Sequence, residues 1–298
     1  MVKGRGITDR SNEVAVSGED VVRRLFAHEL VNLVENDRRA RSSQLNDDEA
    51  IHQLRVSTRR LRAKLQVVGW VLSSAAYRDF REDLGDVGAV LGELRNLGVL
   101  EELYEPLLAR SNEASAVHER LDHDLKGAKR RVQRCLESRQ YRRVIERLAS
   151  WTIDPPLRRR SRHDAAILFA PRLWTMTDEL FAAVDAYGPQ PTLDQLHRIR
   201  KLAKSGRYNF EVASWYLGEQ ASEVASTFEE LQSTLGELHD LSVAVDYLEP
   251  IPTPTHDIKD ALSTQMTPLL AQWRAPLHHA QQLSGLLREK LGNPSSVG

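Results

Sequence analysis

The chain has 298 residues and is 41% hydrophobic, enough for one large or two ordinary domains with sizeable cores. Its 41 Lys and Arg nearly balance 42 Asp and Glu, so the net charge of −1 selects no class of partner. A single cysteine, Cys135, excludes an internal disulfide and a cysteine-held zinc site, and no run of about 18 apolar residues exists to cross a membrane. With no apolar signal core at the N-terminus either, the expected setting is a reducing, cytoplasmic one.

Residues 1–17 are polar and show no period, so they read as a tail. Ser17-Gly-Glu-Asp20 then opens an amphipathic helix to about Glu35, with Val22, Leu25, Phe26, Leu30, Leu33 and Val34 as its apolar stripe. Asn46-Asp47-Asp48-Glu49 supplies a cap and an acidic first turn for a second helix to about Ser73. A third runs from about Ala75 to Tyr104, where Pro106 marks its end or a bend and Gly85, Gly88, Gly92 and Gly98 allow another helix close by. Ser111 to about Trp151 reads as a long fourth helix with a break at Ser138, which completes a bundle over 18–151.

A diproline and a run of arginines at 152–162 interrupt the helical pattern and read as a linker with solvated charges. Beyond it, a second bundle is expected over 163–291. Its first helix runs from about His163 to Tyr187 with a kink at Pro171, and Thr192 caps the next one. A helix through Leu235 ends near Pro250, and the last, about His256 to Leu291, is bent or split by Pro268 and Pro276. Residues 292–298 read as a frayed end, and no strand is expected. The fold class is therefore all-α, as two tandem four-helix bundles.

The second helix carries the most unusual pattern. His52, Arg55, Arg59 and Arg62 are spaced i, i+3, i+7, i+10 and fall within a sector of roughly 80°, with Leu54, Leu61, Leu65 and Val68 opposite. The three arginines have no Asp or Glu three or four residues away. Two such charges ~6 Å apart repel by about 0.7 kcal/mol in bulk water and by a few kcal/mol at an effective dielectric near 20, a cost that an anion would offset. His197, Arg200, Lys204 and Arg207 repeat the spacing, with Ile199, Leu202 and Phe210 on the apolar side and Glu211 in reach of Arg207 alone.

A second repeat follows each stripe. Leu91-Gly-Glu93-Leu-Arg95-Asn96-Leu-Gly-Val99 matches Leu235-Gly-Glu237-Leu-His239-Asp240-Leu-Ser-Val243, which reads as tandem duplication. Glu93 and Glu237 are expected to pair with the stripe of their own bundle or with a backbone amide. Charge is also segregated: 126–147 holds nine basic residues against two acidic, and 212–261 holds ten carboxylates with Lys259 as the only Lys or Arg.

These motifs resemble the CHAD family, the conserved-histidine α-helical domains. The resemblance rests on His52-x-x-Arg55-Val56-x-x-Arg59-Arg60-Leu61-Arg62, on His197-x-x-Arg200-Lys201-x-x-Lys204-x-x-Arg207-Tyr208 and on the two Leu-Gly-Glu-Leu segments. It implies two four-helix bundles related by a pseudo-two-fold axis, with the basic helices lining a shared groove or channel that binds inorganic polyphosphate. Some members are fused to triphosphate tunnel enzymes; here the 17 N-terminal residues leave no room for that barrel and no Glu-x-Glu-x-Lys motif is present. The first half has Arg95-Asn96 where the family often shows Arg-Asp, so a role needing a carboxylate there does not carry over.

The expected polyphosphate contacts are His52, Arg55, Arg59, Arg60, Arg62, His197, Arg200, Lys201, Lys204 and Arg207. Lys64, Lys126, Arg130 and Arg134 are candidates for the rim, and Lys129 and Arg131 could extend the field. Arg suits the task because its fork holds two phosphate oxygens and stays charged. The histidines read equally well as interface residues; as ligands they predict stronger binding below about pH 6.5. Tyr208 reads as core or as a hydroxyl anchor. No metal, cofactor or catalytic group is expected, and the location includes polyphosphate granules as an option. Nucleic-acid backbone binding and phosphoanhydride processing are the alternatives; the scattered Trp70, Trp151, Trp174, Trp215 and Trp273 make no base-stacking platform.

Overall fold

The computed structural model describes residues 16–43, 48–109, 114–252 and 255–291. Most of the expected N-terminal tail, Asn46 and Asp47 of the expected second cap, the Ser111 helix start and the C-terminal 292–298 lie outside them. Among the described residues the chain is all-α: α1 (Gly18–Ser42), α2 (Asp48–Val68), α3 (Ser74–Leu108), α4 (Ala114–Glu137), α5 (Arg139–Ile153), α6 (Ala165–Tyr187), α7 (Leu193–Leu217), α8 (Glu219–Leu248), α9 (His256–Gln272) and α10 (Arg274–Lys290). Two short 3₁₀ turns, 69–71 and 159–162, and two isolated bridges complete it.

Local chemistry sets several ends. Ser17 and Asp20 form a reciprocal capping box at α1, and Thr192 with Gln195 forms another at α7, each satisfying two otherwise unpaired N–H groups. Ser138 is extended (φ −72°, ψ 156°) and its Oγ accepts from the Tyr141 N–H at 3.1 Å, so the break there is a cap that starts α5. The C-terminal helix is divided at Trp273, which is buried. Pro276 falls in the first turn of α10, where its missing N–H costs nothing.

The helix faces bury as their patterns require. Leu54, Leu61, Leu65 and Val68 of α2 and Ile199 and Phe210 of α7 are fully buried, each side chain contributing roughly 1.5–3 kcal/mol. The buried apolar residues form one cluster that runs through both halves of the sequence. α2 packs on α1, α3 and α7; α7 packs on α6, α8 and α2. The two striped helices thus meet at the middle of the molecule. Their approach is supported elsewhere: the Tyr104 hydroxyl on α3 donates to the Ala244 carbonyl on α8, and Tyr247 on α8 donates to Asp124 on α4 at 2.8 Å.

Glycines act differently from the expectation drawn for α3. Gly85, Gly88 and Gly92 face the side chains of Arg62, Thr58 and Arg55 with ordinary contact distances of 3.8–3.9 Å for an added Cβ, so no backbone crowds them. The close helix approach is at Gly206 of α7, where a Cβ would meet the Phe228 ring of α8 at 2.6 Å. The segment 152–162 is pinned against the α2–α3 turn. Ser73 N–H donates to the Pro156 carbonyl and Arg158 N–H to the Val71 carbonyl, both at 2.8 Å. Two of its four arginines are engaged rather than simply solvated, Arg158 with the Ser74 hydroxyl and Arg160 over the Trp70 ring at 5.4 Å, while Arg159 and Arg162 are exposed as expected.

Candidate functional site

A cavity of about 500 Å³ opens between α2, α3 and α7. Arg55, Arg59 and Arg62 of α2 and Lys201 and Lys204 of α7 line it, together with Thr58, Gln66, Ser205 and Tyr208. Gly88 and Gly92 form the α3 wall, with Thr58 against the first and the Arg55 side chain against the second. A second cleft of about 330 Å³ shares Gln66 and Ser205 with it and extends toward Arg172 and Glu179. Helical spacing on two packed helices therefore brings five of the expected cations to one hollow.

None of those five has a carboxylate partner within 4 Å among the described residues. The Arg55 guanidinium makes a long 3.4 Å contact with the neutral Asn96 side chain, and Nε of Arg59 has no partner. The electrostatic consequence is visible in the lysine. Burial, then Arg59, Arg200, Arg55 and Arg62, lower Lys204 to about 8. Burial, Arg59 and Arg95 lower Arg55 to about 10. Every one of these charges is more comfortable with an anion present.

Other expected contacts lie outside the cavity wall. Arg200 sits beside it, near Gly236 and Asp240, with Nε unpartnered, and is lowered by burial despite Asp240. Arg60 is half-buried and its Nε has no partner. His197 stacks on His239 with ring centroids 4.6 Å apart at the α7–α8 interface, and His52 lies near Arg95. Both histidines are lowered from 6.5, by burial first and by neighbouring cations next, which works against the charged form that the sequence reading invoked. His239 is lowered further, to about 4, by burial and then by Arg200, His197 and Lys201.

Arg207 departs furthest from its predicted role. It is buried and held by Glu211 at 2.9 Å and Glu229 at 2.8 Å, so it faces α8. Lys64, expected at the rim, is also buried and bridges Glu29 on α1 at 2.9 Å and Glu211 on α7 at 3.2 Å. These two cations belong to an internal ion-pair network that ties α1, α2, α7 and α8 together. On α4, Lys126 pairs with Asp122, while Arg130 and Arg134 are exposed and none of the three lines the cavity. Glu93 is held by Arg131 of α4 through two hydrogen bonds of 2.7 and 2.9 Å, not by the stripe.

Sequence reasoning missed Arg95 and Asp240 as part of the site, although both lie in the repeated Leu-Gly-Glu-Leu motif. They line a cleft of about 370 Å³ with Glu102, Glu237 and Gln265. Arg95 pairs with Glu102 at 2.7 Å. Burial raises Asp240, and the fields of Arg200, Arg55 and Arg95 pull it back. The one hint in the sequence was the repeat itself; the juxtaposition appears only when the buried leucines of the motif pack α3 and α8 together.

Among the described residues no helix is long and apolar enough to cross a membrane, and no three His, Cys, Asp or Glu residues are grouped to hold a metal ion. Comparison with solved structures finds PptA from Streptomyces chartreusis, at 18% identity over 92% of this chain and 100% of that one, with a TM-score of 0.65. It also finds the CHAD domain of the plant Ricinus communis, at 22% identity over 91% of this chain and 96% of that one, with a TM-score of 0.62. Both likenesses are of fold. No curated protein matches the chain. The CHAD domain family model matches residues 24–249, most of the sequence, and the chain belongs to the CHAD family.

Proposed function

We propose that the protein is a non-enzymatic receptor for inorganic polyphosphate, held along the cavity between α2, α3 and α7. The observation that carries this reading is the set of five cations, Arg55, Arg59, Arg62, Lys201 and Lys204, that share one hollow without ion-paired carboxylates. A linear phosphate chain has about one charge per phosphate and presents no base to read, so repeated donors at helical intervals match it. Family membership supports the same ligand.

Two features favour this over the alternatives. Single-stranded nucleic acid is usually held by stacked aromatic side chains, and among the described residues Tyr208 is the only aromatic one on the wall. Phosphoryl transfer commonly relies on carboxylates that hold magnesium against the phosphate, and among the described residues the wall includes no Asp or Glu. The reading places the protein in the cytoplasm, with association at polyphosphate granules following from the ligand.

The test is competition at fixed ionic strength, with a labelled single-stranded oligonucleotide displaced by polyphosphate, and a parallel incubation of polyphosphate and magnesium with the protein. The reading predicts displacement at far lower polyphosphate than oligonucleotide concentration, with chain length unchanged. Preference for the oligonucleotide, or shortening of the chains, contradicts it.

A further inference from the structure

A tyrosine at a fully buried position is ordinarily retained because its hydroxyl has a partner; otherwise phenylalanine packs as well without an unmatched donor. In the core the Tyr104 hydroxyl donates to the Ala244 carbonyl, and the half-buried Tyr247 donates to Asp124 at 2.8 Å. The Tyr141 hydroxyl lacks a hydrogen-bond partner but has the Asp37 carboxylate as a neighbour. Tyr208 is the unpartnered phenol that lines the cationic cavity. Its side chain is fully buried, its hydroxyl has no hydrogen-bond partner among the described residues, and it forms part of the cationic cavity's wall.

The ring is also held from one side. Arg207, clamped by Glu211 at 2.9 Å and Glu229 at 2.8 Å, places its guanidinium carbon 5.5 Å from the Tyr208 ring centroid. The two carboxylates turn this arginine of the striped spacing away from the hollow and leave it against the ring. Cation–π contact with an arginine that cannot move fixes the phenol in place rather than leaving it free to rotate into a solvated position.

We propose that Tyr208 is a phosphate-binding residue whose hydroxyl donates a hydrogen bond to a non-bridging oxygen of the bound chain, and that Arg207 acts as its positioning residue. This rests on the polyphosphate reading of the cavity and extends it. The phenol adds a neutral donor to a wall of cations, so its contribution to affinity is independent of salt, whereas each cation contributes through counterion release. A hydrogen bond to a charged acceptor is among the stronger kinds, and the donor is already desolvated before the ligand arrives.

The experiment compares wild type, Tyr208→Phe and Lys204→Gln for affinity to long-chain polyphosphate across a salt series, with thermal melting of each. Tyr208→Phe is expected to lose about five- to tenfold in affinity with the salt slope unchanged and the melting temperature the same or higher. Lys204→Gln is expected to flatten the slope. Unchanged affinity in Tyr208→Phe overturns the proposal, as does a loss accompanied by a lower melting temperature, which marks a disturbed cavity. Absence of binding by the wild type overturns the polyphosphate reading itself, and this inference with it.

Discussion

Lys204 shows how a side chain reports the state of the cavity. Its pKa in the empty protein is about 8, lowered by burial and by Arg59, Arg200, Arg55 and Arg62, and a phosphate chain alongside raises it again. Binding near pH 8 therefore takes up protons, and affinity falls as the pH rises through 8. The stability of the empty protein moves the other way. Between 8 and 10.5 the unfolded lysine binds more protons than the folded one, so stability rises with pH in that window. Calorimetric titration in two buffers of different ionisation heat measures the uptake; we expect a fraction of a proton per molecule in the wild type and close to none in Lys204→Arg. Equal uptake in both would show that another group titrates.

Two elements carry the site, and their crossing is fixed away from it. Lys64 of α2 reaches Glu211 of α7 and Glu29 of α1, and Glu29 is fully buried. Lys64→Met leaves that carboxylate without its cation and is expected to cost about 3–5 kcal/mol in urea unfolding, whereas Lys64→Met with Glu29→Leu recovers much of the loss. If the double variant is no more stable than the single, the buried charge is not the source. Glycine substitutions separate packing from lining. Gly206→Ala drives a Cβ into Phe228 at 2.6 Å and is expected to lower stability by about 1–3 kcal/mol. Gly88→Ala meets Thr58 at an ordinary 3.8 Å and is expected to raise it by about 0.5–1 kcal/mol, relieving the helix-interior cost of glycine. Equal melting temperatures for the pair would contradict this assignment.

At the scale of the molecule, much of the architecture was legible because helical period and caps are local signals: Ser17, Ser138 and Thr192 start helices where their spacing said they should. The cavity was legible in part, since unpaired arginines within a helix can be seen in one dimension. What could not be seen was which cations find partners across helices. Arg207 shares the period of its stripe and Lys64 lies beside the other, yet Arg207 pairs with Glu229 of α8, and Lys64 pairs with Glu29, 35 positions away, and with Glu211 of α7. Asp240 was overlooked for the same reason, because its relation to Arg55 and Arg95 exists only once α8 lies against α3.

The central claim is that the hollow shared by α2 and α7, not positive charge in general, binds polyphosphate. Affinity for long-chain polyphosphate at fixed salt, measured for Arg59→Glu and Lys204→Glu against Arg134→Glu on the exposed face of α4, tests it most directly. The account predicts losses of more than about tenfold for the two cavity reversals and less than about threefold for Arg134→Glu, with all three folded. Equal losses at the three positions would contradict it.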